Sequence, residues 1–223
     1  MISRLCLLLA LLVPLTAQAH VNLAAAPIGR MDLPWWRQRF EHTKQEARAH
    51  PGARLVWLYG RYDALNFGLI GDTTASVIWR IDHGEFAGLH PRLVVLLIGA
   101  NNLGRTHWGA GQTVPGIEAV VDDLHRHVPR AHVLLLGILP SIRSAWISAQ
   151  TRTINAALAR HYAESSLVTF RDVGHVLETD GRPDPALYVD PRMHPPEPAL
   201  HPDAEGMRRI AAALQPTIER LMR

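Results

Sequence analysis

The chain has 223 residues, of which 48% are hydrophobic and 19% are charged, and its formal net charge is +3. This composition excludes a disordered chain, a collagen and a coiled coil. The basic residues are scattered, with no run of five or six, which argues against nucleic-acid binding.

The N-terminal segment has the parts of a secretory signal peptide. Arg4 precedes an apolar stretch over residues 5–15, and Ala17-Gln18-Ala19 is a small-x-small cleavage site. The apolar stretch is too short to span a bilayer. We therefore predict a signal peptide over residues 1–19, a single domain over residues 20–223, no transmembrane segment in the mature chain, and a periplasmic or secreted location. The only cysteine, Cys6, lies in the signal, so we expect neither a disulfide nor a cysteine nucleophile in the mature chain.

Short apolar runs alternate with amphipathic segments along the rest of the chain. The predicted strands are residues 55–59, 65–70, 93–98, 133–139 and 168–173. The run over 93–98 has no polar interruption, as expected of a strand covered on both faces. This alternation predicts an α/β fold, a three-layer α/β/α sandwich around a parallel sheet.

Three helices follow from the apolar periodicity. One is predicted after Thr113, as a cap with Pro115 in the first turn, and another spans residues 147–158. The last begins at Asp203 as its cap and is kinked at Pro216. Residues 181–202 are rich in proline and are predicted to form an ordered surface loop near the site.

Three segments place polar chemistry where parallel strands end, and ligands bind at that edge of such sheets. Gly71, in the segment 66–74, could offer its backbone N–H to an oxyanion, although a plain glycine-rich turn is the alternative. Asn101 follows the strand at 93–98 and could donate its amide to the same oxyanion, or could satisfy loop backbone instead. His201 lies just before the last helix and is a candidate general base.

Together these segments resemble the SGNH or GDSL hydrolases, and most closely their platelet-activating-factor acetylhydrolase-like branch. The resemblance is carried by residues 35–39, 64–68, 77–85, 93–102 and 200–206. It implies a flavodoxin-like fold and an esterase that acts without a metal or another cofactor. The implied substrate is a small-molecule ester, a lipid or an acylated glycan. The resemblance also implies that Gly71 and Asn101 form the oxyanion hole and that His201 is the base.

The family's Gly-Asp-Ser nucleophile motif is missing from its place after the first strand. Residues 55–60 run directly into residues 61–65, and no serine lies between Ser3 and Ser76. The first crossover helix is missing with the motif. Because a parallel crossover takes about a dozen residues or more, we predict that the runs at 55–59 and 65–70 are not parallel neighbours. They would form a hairpin, one would cease to be a strand, or the first would move within the sheet. The lost helix would also uncover one face of the sheet.

The acid partner of the base is also displaced. The family has an aspartate three residues before the histidine, where this chain has Pro198. Glu197 is our preferred acid for His201, because the role requires orientation of the imidazole rather than a strict spacing. Asp190 with His194 is the alternative pair.

The remaining nucleophile candidates are serines later in the chain. Ser76 is nearest to the Gly71 loop but suits a first-turn or surface position of a helix. The others are Ser141, Ser144, Ser148, Ser165 and Ser166. None lies in a Gly-x-Ser-x-Gly elbow.

Three hypotheses follow for the function. The first is an exported ester hydrolase, impaired by several orders of magnitude because the serine is absent from its place. The second is an inactive pseudo-hydrolase that binds an acyl or glycan ligand, and the third is an unstable truncated remnant. A nucleotide site is not predicted, because neither G-x-G-x-x-G nor G-x-x-x-x-G-K-[ST] occurs. A metal site at His125 and His127 is not predicted either, because residues two apart do not share a helix face.

Overall fold

A parallel sheet forms the centre of the molecule. The computed structural model describes residues 21–56, 64–188 and 201–223. The strands of the sheet are β1 (Leu55–Val56), β2 (Ala64–Leu65), β3 (Leu93–Leu96), β4 (His132–Leu136) and β5 (Val168–Arg171). They lie in the order β2-β1-β3-β4-β5, and every neighbouring pair is parallel. This is the order of a flavodoxin-like fold, which confirms the predicted fold class.

Helices connect the strands and cover the sheet. In the described part of the chain they are α1 (Pro34–Ala49), α2 (Thr74–Asp82), α3 (Ala100–Thr106), α4 (Ala110–His127), α5 (Ala145–His161) and α6 (Ala204–Leu221). Short 3-10 turns occur at Leu23–Ala25, Gly174–Leu177 and Pro185–Leu187, and a small antiparallel hairpin joins β6 (Glu178–Thr179) to β7 (Arg182–Pro183). None of the described helices is long and apolar enough to cross a membrane.

The core lies on both faces of the sheet, because side chains alternate along the central strands. Val94, Leu96, Val133 and Leu135 belong to the core that includes α2, α4 and α5. The alternate residues Leu93, Val95, Leu134 and Leu136 pack with α6, which among the described helices is the one on that second face. Burial on both faces explains the uninterrupted apolar runs of β3 and β4. Leu97, just beyond β3, is 40% exposed.

The pairing of β1 with β2 corrects a prediction. The two strands are parallel neighbours, with Leu55 opposite Ala64 and Val56 opposite Leu65. Seven residues, 57–63, separate them, and seven residues can span about 24 Å at most. Among the described residues each strand has two, and between these the return path is about 7 Å along the strand and about 5 Å across the sheet. The expectation of a dozen residues assumed strands of ordinary length joined through a helix.

The start of α4 corrects a second prediction. The helix begins at Ala110 with Gly109 as its cap, so Thr113 is not the cap and Pro115 lies beyond the first turn. The Thr113 hydroxyl donates to the carbonyl of Trp108 at 2.8 Å, which ties the preceding loop to the helix. The predicted cap of α6 is confirmed, since the Asp203 carboxylate accepts from the backbone N–H of Gly206 at 2.8 Å.

Gly99 joins β3 to the helix that carries Asn101, and it provides a test of this junction. Its φ is +112°, and a Cβ there would lie 2.7 Å from Cδ1 of Ile138. We predict that Gly99→Ala lowers the free energy of unfolding by about 2 kcal/mol, because a left-handed residue with a Cβ costs roughly 1–2 kcal/mol and the overlap adds strain. Denaturant unfolding measures this change.

Gly111→Ala, near the start of α4, is the matched control because nothing lies within 4 Å of the added Cβ. We expect this variant to be as stable as the wild type or more stable by up to about 1 kcal/mol. Equal losses in the two variants would contradict the packing argument.

Candidate active site

Gly71 lies in the loop between β2 and α2, with a φ of +76°. A side chain is strained here by the left-handed backbone, and an added Cβ would also displace the end of Arg105 and lie 3.1 Å from Nη1 of Arg30. Nη1 of Arg30 also donates to the carbonyl of Ile70 at 3.2 Å. Two cations therefore lie beside this backbone, where they would stabilise a negative charge that develops on a ligand.

A buried ion network fixes the loop that carries Gly71. The Asp72 carboxylate accepts from Nε1 of Trp36 at 2.7 Å and pairs with Nη2 of Arg80 at 2.8 Å. The same guanidinium pairs with Glu85 and donates to the carbonyl of Phe67 at 2.9 Å. Burial raises the pKa of Asp72 and of Glu85, and the positive charge of Arg80 opposes that rise. The loop is thus attached to one buried cation at two points.

Asn101 lies in the first turn of α3, beside the Gly71 loop. Its Nδ2 donates to the carbonyl of Asp72 at 3.0 Å. This contact brings the two predicted oxyanion donors to the same part of the sheet edge. It also satisfies a loop carbonyl, which was the alternative interpretation, and it uses one of the two N–H groups of the amide. The role of Gly71 and Asn101 in an oxyanion hole stays a prediction.

Asn102 is a structural residue that sequence reasoning missed. It is buried, its Oδ1 accepts from the N–H of Thr74 at 3.0 Å, and its Nδ2 donates to Oγ1 of Thr74 at 2.8 Å. These bonds join the start of α3 to the start of α2, so they fix Asn101 relative to Gly71. The signal was a second asparagine directly after an apolar strand, where a buried amide needs partners.

His201 is exposed and lies just before α6. It lines a small cavity of about 80 Å³ together with Leu97, Ala100 and Ser141. Ala100 precedes Asn101, so the histidine is at the same edge of the sheet. Its predicted acid, Glu197, lies outside the described residues.

The alternative acid–histidine pair, Asp190 with His194, also lies outside the described residues, as does most of the predicted proline-rich loop. The choice of acid therefore stays a prediction.

Among the described serines, Ser141 is the one that shares a cavity with His201. The residue is 9% exposed. Ser76 is buried in the first turn of α2, and its hydroxyl contacts Oγ1 of Thr73 at 3.3 Å. Ser144 caps α5. The geometry therefore favours Ser141 over these two as the partner of the base.

Ser141 is nevertheless far from the place of the family nucleophile. It follows β4, whereas the family motif follows β1, two strands away in the sheet. Two strand spacings are about 10 Å. Ser141 is therefore near the candidate base but removed from Gly71.

A larger cavity continues from Ser141 along α5. Its volume is about 570 Å³, and it shares Ile138, Ser141 and Thr151 with the small cavity. Asp172 and His175 add polar groups on its far side. Its size is within the range of small-molecule sites.

Comparison with known proteins identifies the family. Residues 29–209 match the sequence model of the GDSL-like Lipase/Acylhydrolase family. The chain belongs to this family. A stretch of 87 residues is 41% identical to platelet-activating factor acetylhydrolase IB subunit alpha1 from Bos taurus, and it spans 38% of this chain and 36% of that relative. The predicted resemblance to the GDSL hydrolases is therefore confirmed.

Solved structures show the same fold. A GDSL-like lipase from Bacteroides thetaiotaomicron superposes with a TM-score of 0.59 at 19% identity, over 80% of this chain and 83% of the other. A carbohydrate esterase family 3 protein from Talaromyces cellulolyticus superposes with a TM-score of 0.51 at 16% identity, over 72% of this chain and 70% of the other. At these identities the likeness concerns the fold alone.

The ion network predicts a large loss of stability when one partner is removed. In Asp72→Asn the amide oxygen can still accept from Trp36, but Arg80 loses one of its two carboxylate partners and keeps Glu85. We predict that the free energy of unfolding falls by about 3 kcal/mol, because removing one member of a buried ion network leaves its remaining charges less well compensated. Urea unfolding followed by tryptophan fluorescence measures the loss.

Glu41→Gln is the control for Asp72→Asn, because Glu41 pairs with Lys44 at 3.5 Å on the exposed side of α1. An exposed pair of this kind contributes about 0–1 kcal/mol. If both variants lost the same small amount, the buried network would not hold the loop as described.

Proposed function

We propose that the protein is an exported GDSL-type ester hydrolase with impaired catalysis. Its substrate class is a small ester, a lipid or an acylated glycan. The observation that carries the proposal is the 3.0 Å bond from Nδ2 of Asn101 to the carbonyl of Asp72, next to Gly71. This bond supports the proposal because it keeps Asn101 beside Gly71, the two candidate oxyanion donors, at the edge of the sheet where doubly wound folds bind ligands.

In the proposed reaction, the ester carbonyl oxygen accepts from the N–H of Gly71 and from the second N–H of the Asn101 amide. The guanidinium groups of Arg30 and Arg105 add positive charge beside the developing oxyanion. His201 removes the proton of the attacking hydroxyl, for which Ser141 is the candidate in its cavity. The serine oxygen bonds to the carbonyl carbon, the ester bond to the leaving alcohol breaks, and the imidazolium gives its proton to that alcohol. Water, deprotonated by His201, then attacks the acyl-serine, which releases the acid and returns the proton to the serine.

The arrangement also gives the physical reason for impairment. A serine enzyme needs the nucleophile, the base and the oxyanion donors around one carbonyl carbon. Here the candidate nucleophile follows β4, at about two strand spacings, or about 10 Å, from the family position. Even a small misplacement of a reacting group reduces the rate strongly. We therefore expect slow turnover.

A second candidate function is binding without cleavage. It is favoured by one observation, the absence of serine between Ser3 and Ser76. The cavity of about 570 Å³ beside Ser141 would hold the acyl or glycan ligand. Its lining contains both apolar and polar residues, which suits a ligand with both characters.

Labelling with a fluorophosphonate probe, followed by peptide mapping and a 4-nitrophenyl acetate assay, tests the hydrolase. We predict a label on Ser141 that is lost in Ser141→Ala and strongly reduced in His201→Ala. Asn101→Ala should lower kcat at least tenfold, since removal of one oxyanion donor costs about 10²–10³ in an intact enzyme.

Ser166→Ala is the matched control, because Ser166 is exposed and is not among the lining residues of either cavity. Its label and its rate should equal those of the wild type. A sample that unfolds cooperatively, takes no label and does not hydrolyse the ester would favour the binding protein. Failure to unfold cooperatively would favour the truncated remnant.

Export is a separate part of the proposal and rests on the N-terminal sequence. Expression in a bacterial host should give a mature protein in the periplasm that begins at His20, because signal peptidase cleaves after Ala-x-Ala-like sites. Intact-mass measurement of the periplasmic fraction decides this. Retention of residues 1–19 on a cytoplasmic product would refute export.

A further inference from the structure

A polar cluster lies at the end of the sheet opposite to Gly71. Asp82 is the last residue of α2, a helix that starts just after the Gly71 loop. Asp123 and His127 are one turn apart at the end of α4. A possible ligand atom from each of the three side chains lies within 4.8 Å of the other two. Two carboxylates and an imidazole therefore converge between the last turns of two helices.

The Asp123 carboxylate provides a second, independent observation on this cluster. Its side chain is 0% exposed, and its Oδ1 pairs with Arg126 and lies 3.5 Å from Nδ1 of His127. Its other oxygen, Oδ2, is buried without a hydrogen-bond partner in the described structure. A buried carboxylate oxygen is normally satisfied by a donor, a water or a cation.

The charges around the cluster have the sign that a cation requires. The carboxylates of Asp82 and Asp123 both face the cluster, and Arg126 is paired with Asp123. No ion pair among the described residues includes Asp82. Arg126 is the neighbouring arginine, and its side chain is 64% exposed, so it can move into solvent when a metal enters.

We propose that Asp82, Asp123 and His127 bind one divalent cation of the zinc type. An imidazole with carboxylates suits zinc and its first-row neighbours, whereas calcium and magnesium prefer oxygen ligands alone. Water completes the coordination. Nδ1 of His127 lies 3.0 Å from the carbonyl of Asp123, which holds the ring against α4. The bound ion joins the end of α2 to the end of α4 and stabilises the native packing of these helices.

Sequence spacing did not reveal this site, because one ligand comes from a different helix. The cluster includes His127 but not His125, so the proposed site differs from the His125–His127 pair considered from the sequence. The proposal is independent of ester hydrolysis, because the cluster is at the opposite end of α2 from the Gly71 loop.

Calorimetric titration of the EDTA-treated, full-length mature protein with ZnCl₂ tests the proposal. We expect one ion per chain and a Tm that rises by at least 5 °C at a zinc concentration a hundredfold above Kd. Asp82→Asn and His127→Gln alter exposed side chains, so they should fold normally. Each should weaken zinc binding at least tenfold.

His161→Gln is the matched control, because the His161 ring faces the single carboxylate of Glu118 at 3.3 Å and belongs to no three-residue cluster. Its zinc affinity and stoichiometry should equal those of the wild type. The proposal is overturned if millimolar zinc does not bind, if Asp82→Asn and His127→Gln bind as tightly as the wild type, or if calcium binds more tightly than zinc.

Discussion

The buried guanidinium of Arg80 is the constraint on which the candidate active site depends. Arg80 is 3% exposed and pairs with both Asp72 and Glu85. A buried charge is tolerated only with its partners in place, so the chain on either side of Gly71 has little freedom. Helix α1 extends the network, because Trp36 donates to Asp72 and the Thr43 hydroxyl lies 2.9 Å from Glu85. The position of Gly71 is therefore set by a buried network that joins the adjacent Asp72 to Arg80 and to helix α1.

The candidate site residues form two groups at the edge of the sheet. Gly71 and Asn101 lie together with the cations Arg30 and Arg105, while His201 shares its cavity with Ser141. This chain keeps the parallel order of β2, β1 and β3 without a serine between Ser3 and Ser76. The order of these strands therefore does not depend on a serine there.

Local patterns predicted the sheet, but they could not predict which charged side chains are buried and pair with one another. The apolar run after Arg92 predicted β3, and the turn before Thr74 placed Gly71 before a helix, because both signals lie within a few residues. The partners of Arg80 lie 8 residues before it and 5 after it along the chain, and charged residues are ordinarily exposed. The pairing of β1 with β2 was predicted wrongly because strand length, on which the minimum connection depends, cannot be read from an apolar run alone.

The brevity of β2 affects how the molecule meets copies of itself. This strand is at the border of the sheet, and in the described part of the chain its ladder consists of Ala64 and Leu65. A border strand presents unpaired N–H and C=O groups that can template the addition of another chain, and a long flat border promotes fibre growth. The two described residues offer too few such groups for stable intermolecular pairing. The described part of this border therefore gives little support to the addition of a strand from another copy.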